Sequence, residues 1–356
     1  MPDPRIVAAM DKYRNALLKA DAAAATRLVN AYGRIFAKLQ NDIRALEADI
    51  ADLGDNPTRG QIVRLERYKA LLEQTASEMD RYATILGNEV DANRALAIQN
   101  ALGNNRALVQ AALPNLPPAA QAQILAGFNR LNPAAIESIL GALTDSPLSR
   151  LLENFGGRAA QDISNAILEG VALGYNPRKV AARIADVLGG NLTRSLTIAR
   201  TETLRAYRTA ALANYRTNSA VVKGWRWNST KDNVCCLACL ALDGQTFSLD
   251  KNFMPAHPNC RCAPEPVTVS YKDLGLDVPD LEPRTTATDW FNGLPETEQR
   301  QFFTAAAWRA YQDGAVGLTD FIGLQKSKDW GDAYVERSLK DILGNDANKY
   351  YATRAA

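Results

Sequence analysis

Every cysteine of this 356-residue chain, and its only histidine, lies between residues 235 and 262. These residues form two short clusters: Cys235, Cys236 and Cys239, followed by His257, Cys260 and Cys262. Thiolate and imidazole are the usual ligands of zinc, which binds four of them tetrahedrally in structural sites. The C-x2-C spacing of Cys236 and Cys239 is typical of one half of such a site. We therefore predict a structural zinc site in which Cys236, Cys239 and Cys260 are ligands, either His257 or Cys262 is the fourth, and Cys235 points away.

Three other interpretations of the cysteines stay open. Disulfide bonds are disfavoured by the odd number of cysteines and by an N-terminal sequence without the apolar core of a signal peptide. Plain buried thiols would pack as small apolar groups, but they would have no reason to cluster. A catalytic zinc would keep one position open beside a general acid or base. The acids nearby are Asp232, Asp243 and Asp250, at turn-like positions.

Composition and charge are ordinary for a globular protein, with 47% hydrophobic and 22% charged residues. The formal net charge is +2, whereas a dedicated nucleic-acid-binding domain is usually strongly basic. No apolar run is long enough for a transmembrane helix, so no membrane partner is expected. The sequence contains no phosphate loop, nucleophile elbow, H-E-x2-H or dinucleotide-binding motif. We therefore predict no catalytic residue.

Helical periodicity dominates residues 1–100. Apolar residues recur at steps of three and four over residues 32–53 and again over residues 62–86, which places them on one face of each helix. Residues 54–57 break the pattern, and Thr58 can cap the helix that follows. So short a break predicts two long helices that fold back as an antiparallel hairpin. This hairpin would serve either in a helical bundle or as a docking arm.

The next two segments differ in character. Prolines punctuate residues 101–157 and predict three short helices, ending at a hinge formed by Gly156 and Gly157. Residues 158–271 begin with three further helices, and the second of these is expected to stop at the glycine pair 189–190.

The third of those helices is rich in arginine. Arg194, Arg200, Arg205 and Arg208 are candidates for non-specific, salt-sensitive contacts with nucleic-acid phosphates. In the alternative interpretation, these arginines pair with acids such as Glu202 and only solvate the helix.

A strand-like pattern follows. Residues 221–227 alternate and are rich in β-formers, Asp243 and Gly244 suit a two-residue hairpin turn, and Pro264 and Pro266 indicate an edge strand. The lobe is therefore predicted to be a small antiparallel sheet of about three strands, which is marginal alone. A zinc clip between the two cysteine-bearing arms would stabilise it.

The C-terminal part completes the predicted fold. Residues 272–288 are expected to be a linker, and residues 289–356 a helical extension whose last helix covers residues 331–343. The predicted class is α+β and predominantly α-helical. It combines the N-terminal hairpin, a central helical domain with a zinc-clipped antiparallel lobe, and a helical C-terminal tail.

The lobe also carries a family resemblance. The order D-x3-C-x2-C-x2-LDG-x2-F over residues 232–247, followed by HPNCRC over residues 257–262, resembles the head morphogenesis domain of tailed bacteriophages, the Mu F-like minor head proteins. The upstream segment 198–215, followed by Gly-Trp-Arg at 224–226, is similar to the same family. The joined LDG and HPNCRC motifs are specific, whereas a bare C-x2-C is not. The resemblance covers residues 158–270.

This resemblance implies a non-enzymatic minor head protein of the procapsid and virion, acting near the portal in head assembly and in DNA packaging or ejection. The implied partners are the portal protein, a major capsid or scaffolding protein and, non-specifically, DNA. The implied location is the capsid interior or portal vicinity, and the host cytoplasm during assembly. Two alternatives remain: a zinc-dependent enzyme or toxin-like module, and a zinc nucleic-acid-binding module.

Overall fold

The computed structural model describes residues 4–54, 56–114, 116–128, 131, 139, 148–232, 234–253, 257–275, 286–328 and 330–351. Helices predominate, and the strands form small antiparallel sheets, as the sequence predicts. The helices are α1 (Pro4–Asp52), α2 (Arg59–Arg64), α3 (Glu66–Ala112), α4 (Pro118–Gly127), α5 (Leu148–Leu152), α6 (Phe155–Ala172), α7 (Pro177–Thr217), α8 (Leu237–Leu242), α9 (Ala287–Asn292), α10 (Glu296–Gln299), α11 (Ala305–Gln312), α12 (Leu339–Leu343) and α13 (Asn348–Tyr351). The strands are β1 (Val222–Asn228), β2 (Thr246–Ser248), β3 (Ala263–Thr268), β4 (Ile322–Gln325) and β5 (Ala333–Glu336), and short 3-10 turns cover Arg300–Phe302, Leu318–Phe321 and Gly344–Ala347.

The chain forms two compact units, each assembled from separate segments. The sheet unit comprises residues 1–17, 94–146 and 204–356, and the helical unit comprises residues 18–93 and 147–203. The five consecutive segments proposed from the sequence stay a prediction. No described helix combines the length and the apolar character that crossing a bilayer requires.

Within the helical unit, α1 and α3 run antiparallel, as predicted. Three ion pairs give the direction: Arg27 with Glu89, Lys38 with Glu78 at 3.1 Å, and Asp49 with Arg67 at 3.1 Å. Residues nearer the C-terminus of α1 therefore pair with residues nearer the N-terminus of α3. The predicted apolar stripes face inward, and Leu39 and Leu86 are fully buried.

The break between these helices is more elaborate than the sequence suggests. Thr58 caps α2 as predicted, and it exchanges hydrogen bonds with Gln61 in a capping box. Leu65 then adopts an extended backbone, so that α3 starts anew at Glu66. Helix α3 runs past residue 100 and ends at Ala112.

The glycine pair at 189–190 lies inside α7, so the predicted helix end there is wrong. A glycine costs a helix interior about 1 kcal/mol relative to alanine. That cost is too small to offset the apolar burial on both sides, where Leu188 and Ile198 are fully buried. The hydroxyl of Tyr32 also donates a 2.7 Å hydrogen bond to the carbonyl of Leu188. These contacts keep α7 continuous.

Gly156 and Gly157 lie in the first turn of α6 and do not form the predicted hinge. The N–H of Gly156 donates to Oδ1 of Asp80 at 2.8 Å. A Cβ at Gly156 would lie 2.0 Å from the carbonyl oxygen of Ala76. Gly156 therefore permits a close approach of α6 to α3 and fixes the chain at this point.

In the sheet unit, β1 is the central strand of an antiparallel sheet with the order β2-β1-β3. The predicted three-stranded lobe is confirmed, and Pro264 and Pro266 lie on the edge strand β3. The predicted hairpin around Asp243 is wrong, because residues 237–242 form the short helix α8. All six residues of α8 are buried. A wholly apolar run does not distinguish a buried strand from a buried helix.

The C-terminal tail is less helical than predicted. Strands β4 and β5 pair as an antiparallel hairpin, with Ile322 opposite Glu336. Of the helix expected over residues 331–343, only α12 is present, because Ser338 caps it in a capping box with Asp341. Of the three short helices predicted before residue 157, α4 is confirmed. Residues 129–130, 132–138 and 140–147 lie outside the described part, as do residues 276–285 of the predicted linker.

Candidate metal centre

The first arm of the centre is the N-terminus of α8. Cys236 is the N-cap residue, and its Sγ accepts the N–H of Cys239 at 3.4 Å. The C-x2-C spacing therefore spans a helix cap and places both sulfurs at the same helix end. The carboxylate of Glu336 accepts the N–H of Leu237 at 3.0 Å, which satisfies another free donor of the first turn.

The second arm is a tight turn that leads into β3. The N–H of Cys260 donates to the carbonyl of His257 at 3.0 Å. Asn259 has a φ of 68°, in the left-handed region that asparagine tolerates better than most residues. Cys262 immediately precedes β3, so the pairing of β3 with β1 fixes its position.

The two arms meet, as the sequence predicts. The donor atoms of Cys236, Cys239 and His257 lie within 4.8 Å of one another, and so do those of Cys239, Cys260 and Cys262. The sulfurs of Cys239 and Cys260 are 4.0 Å apart. Two thiolates bound tetrahedrally to one zinc, each at about 2.3 Å, lie just under ~4 Å apart. None of the five cysteines forms a disulfide. The cluster can therefore hold a metal ion.

Cys235 is not among the donors that lie together. It is buried, and its Sγ donates to the carbonyl of Cys236 at 3.8 Å. Neither group of donor atoms that lie within 4.8 Å of one another includes it. The expectation that Cys235 points away from the ion stays a prediction.

The electrostatics of the cluster favour ionised sulfur at Cys236 and Cys260, whereas hydrogen bonds to neighbouring cysteines raise the pKa of Cys239 and burial raises that of Cys262. The pKa of Cys236 falls to about 6, because its thiolate accepts a hydrogen bond from Cys239 and lies beside His257. Burial lowers the pKa of His257, but the hydrogen bond and charge of Cys236 outweigh burial and raise that pKa to about 9. Burial opposes ionisation of Cys260, but hydrogen bonds from Cys239 and Cys262 lower its pKa. Thiolates are the form that binds metal ions.

Arg208 supports the second arm, and this corrects its assignment as a nucleic-acid contact. Its side chain is only 4% exposed. Nε donates to the carbonyl of Cys262 at 2.9 Å, and Nη2 donates to that of Cys260 at 2.5 Å. The guanidinium also lies over the ring of Phe253, 4.7 Å from its centroid. A side chain held in this way is not available to phosphates.

The other candidate arginines are divided between the two compact units. Arg194 and Arg200 belong to the helical unit, whereas Arg205 belongs to the sheet unit. Arg200 pairs with Asp21, with Nε 2.9 Å from Oδ2. Arg205 donates to the carbonyl of Trp330 at 3.2 Å. Phosphate contacts by Arg194, Arg200 and Arg205 stay a prediction.

Two acids near the cysteines hold backbone in place. Oδ1 of Asp232 accepts a hydrogen bond from Arg261 at 2.7 Å and one from the N–H of Val234 at 3.2 Å, which joins the two arms. The buried carboxylate of Asp243 accepts the N–H groups of Ser229 at 2.6 Å and of Ala287 at 2.8 Å. Sequence reasoning placed both acids in the family motif and Asp243 in a hairpin turn, but it did not predict these backbone contacts.

Together these features define a mostly helical α+β protein with a buried, thiol-rich candidate metal centre in a three-stranded lobe. Residues 161–265 match the family described as Phage Mu protein F like protein. The predicted resemblance is confirmed over these residues, so the chain carries a Mu F-like domain, which indicates a role in phage head morphogenesis and association with the virion. Comparisons with curated proteins and with solved structures give no match.

Proposed function

We propose that this chain is a minor head protein that acts as a structural part of the phage head, and that its Cys/His cluster binds zinc as a structural clip. One observation carries the proposal. The candidate metal centre lies wholly inside the segment that matches the Mu F-like family, since its donors fall between residues 235 and 262.

The proposed role of the metal is structural and the chain non-enzymatic, because four of the five donors are thiols and three of those thiols are closed to solvent, although Cys236 and His257 are partly exposed. Cys239, Cys260 and Cys262 are each 2% exposed. A catalytic zinc keeps one coordination position for water or substrate, and it needs a general acid or base nearby. Asp232 and Asp243 already accept hydrogen bonds from backbone on both sides of the centre. These contacts support a clip that joins two arms of the lobe.

The proposed partners are the portal protein and a major capsid or scaffolding protein, contacted during procapsid assembly, with DNA as a non-specific partner. The proposed site of action is the portal vicinity or capsid interior. Both proposals follow from the Mu F-like resemblance.

The test is made in the phage. The wild-type gene for this chain is replaced by one that encodes the Cys239→Ser variant. A second phage carries Asp250→Asn as a control on the exposed surface of the same lobe. We expect the first phage to lose titre by at least tenfold and to accumulate incomplete heads in electron micrographs, while the control assembles normally. Wild-type protein should sediment with procapsids and be retained by co-expressed portal protein. Normal heads in the complete absence of the chain would overturn the proposed role.

Contact with DNA is tested separately. Non-specific phosphate contacts should retain the purified protein on duplex DNA at low salt and release it near ~0.2 M salt. Arg194→Gln should weaken that retention. Arg208→Gln should not weaken it by removing a phosphate contact, because Arg208 is buried. No retention at any salt concentration would remove DNA from the partners and would also exclude the nucleic-acid-binding alternative. Turnover of a substrate that depends on zinc would favour the enzyme alternative instead.

A further inference from the structure

One support of the candidate metal centre comes from outside the segment that matches the family. Glu336 is the last residue of β5, well beyond residues 161–265. Its Oε2 accepts the N–H of Leu237 at 3.0 Å, although the two residues are 99 positions apart in the chain. Leu237 opens α8, directly after the N-cap residue Cys236 and two residues before Cys239. The carboxylate therefore bonds to the helical turn that presents both sulfurs of the first arm.

This bond falls where α8 itself supplies no acceptor, because the first N–H groups of a helix have no partner within it. The N–H of Cys239 reaches the sulfur of Cys236, and the N–H of Leu240 reaches the carbonyl of Cys236 at 3.1 Å. Leu237 is fully buried, so its N–H needs an acceptor from another part of the protein. A helix of six residues is too short to be stable without such supports.

The β4–β5 hairpin holds Glu336 in position. The N–H of Arg337 donates to the carbonyl of Phe321 at 2.9 Å, and Phe321 is buried. Tyr334 lies two residues before Glu336 in β5, so both side chains point to the same face of the strand. The ring of Tyr334 packs edge-on against Trp227 of β1, with ring centroids 6.0 Å apart. The hairpin therefore contacts the lobe at the metal centre and at the central strand.

We propose that Glu336 is a positioning residue of the metal centre, and that the β4–β5 hairpin is thereby linked to metal binding. This rests on the proposed zinc clip. Loss of the acceptor would free the first turn of α8, and the sulfurs of Cys236 and Cys239 would no longer be held together before an ion binds. Groups that orient metal ligands typically change metal affinity by about 10–100-fold.

A displaced first turn would disturb the whole centre, because Cys239 contributes to both donor triads. These triads are the two groups of donors that lie together: Cys236, Cys239 and His257, and Cys239, Cys260 and Cys262. The linkage must also be reciprocal. The factor by which the Glu336 contact strengthens metal binding is the factor by which bound metal strengthens that contact.

The decisive experiment measures the zinc affinity of the full-length chain in reducing buffer, by competition with a chromophoric chelator. Glu336→Ala should weaken zinc binding by about tenfold, at the lower end of the range for groups that orient ligands. Glu336→Gln keeps an oxygen acceptor without the charge, so it should recover part of this loss and bind only about threefold more weakly than wild type. Asp332→Ala is the matched control, because it removes an exposed carboxylate from the same hairpin and should leave the affinity unchanged.

Equal affinities of Glu336→Ala and wild type would overturn this inference and leave the proposed clip standing. A wild-type chain that binds no zinc would overturn both. An equal loss in Asp332→Ala would also overturn the inference, because the contact with Leu237 would then not be the cause.

A second measurement uses wild-type protein and remains decisive if Glu336→Ala does not fold. Hydrogen exchange is followed by mass spectrometry with zinc and after removal of zinc by a chelator. Exchange in the paired strands 322–325 and 333–336 should be about tenfold slower with zinc, as reciprocity requires. Exchange in the middle of α1 should not change. Hairpin exchange that is the same with and without zinc would overturn the linkage.

Discussion

The carboxylate of Asp243 accepts the N–H of Ala287 across a hydrogen bond of 2.8 Å. Asp243 is the acid of the LDG motif of the Mu F-like domain, whereas Ala287 is the first residue of α9, beyond the matched segment. The same carboxylate accepts the N–H of Ser229 at 2.6 Å. A motif acid therefore ties the lobe to the C-terminal part of the sheet unit.

Replacing this acid should cost stability. In Asp243→Asn one carboxylate oxygen becomes an NH2 group that faces a backbone N–H donor. The side chain also loses its negative charge. Hydrogen bonds to charged groups contribute about 1.5–3 kcal/mol each. We expect the free energy of unfolding, measured in urea, to fall by about 2 kcal/mol. Asp250→Asn, on the exposed surface, should leave it unchanged, and equal effects of the two variants would contradict the role of Asp243.

Cys239 is the thiol that both donor triads share, so its loss should affect the whole centre. Structural zinc contributes folding free energy directly. We expect Cys239→Ser to lose bound zinc and the cooperative unfolding of the lobe, measured by metal content and near-UV circular dichroism. Wild-type protein stripped by a chelator should behave in the same way. An unchanged melting temperature in both samples would mean that the lobe does not depend on the metal.

Arg208 and Arg205 provide a matched pair on one helix. A lysine cannot reproduce the forked contact of a guanidinium with two carbonyl oxygens. Arg208→Lys should therefore lower the free energy of unfolding by about 2 kcal/mol, as expected for lost charge-assisted hydrogen bonds in a buried site. Arg205→Lys, at a partly exposed position, should have a clearly smaller effect. The reverse order would indicate that Arg208 is not the support of the second arm.

Gly224 on β1 has no room for a side chain. A Cβ there would lie 2.6 Å from the carbonyl oxygen of Phe247 on β2. Gly224→Ala should push the two strands apart and cost about 1–3 kcal/mol, the usual range for overpacking. Gly33→Ala lies in α1 with open space around the added methyl group and should instead stabilise the protein. Thermal unfolding of the two variants should shift in opposite directions.

Glu89 should contribute to the stability of the fold in a pH-dependent way. Its pKa is lowered chiefly by hydrogen bonds from Arg27 and further by Asn93. A carboxyl whose pKa falls on folding stabilises the protein above its unfolded pKa of about 4.3, and this stabilisation disappears as pH falls through the folded value. Because Arg27 is largely exposed, Glu89→Gln should cost only about 0.5 kcal/mol at neutral pH. Urea titrations should show the difference between variant and wild type shrinking as pH falls below about 4.3, and a difference that stays constant with pH would contradict the ion pair.

The parts of the fold that could be predicted are those fixed by local pattern. The apolar stripes of α1 and α3 repeat over many turns, and the prolines of β3 exclude it from the middle of a sheet. The metal centre could be located because the chain has no cysteine or histidine outside residues 235–262. Each of these signals is carried by residue types and spacings that are visible without knowledge of distant contacts.

The remainder depends on tertiary packing. Gly189 and Gly190 remain helical because buried residues on both sides hold α7 together. Residues 237–242 are apolar throughout, so their periodicity could not separate helix from strand. The burial of Arg208 depends on carbonyls of Cys260 and Cys262 that lie far away in the sequence.

The limits of the Mu F-like match do not coincide with either compact unit. Residues 161–203 belong to the helical unit and residues 204–265 to the sheet unit, so the match crosses from one to the other inside α7. The sheet unit also needs the N-terminal segment, where Tyr13 stacks on Tyr207 with ring centroids 4.1 Å apart. A recombinant fragment trimmed to the match would therefore lack part of both compact units and would expose apolar surface. The family segment is unsuitable as a stand-alone reagent for this reason. Work on its assembly contacts requires the entire polypeptide.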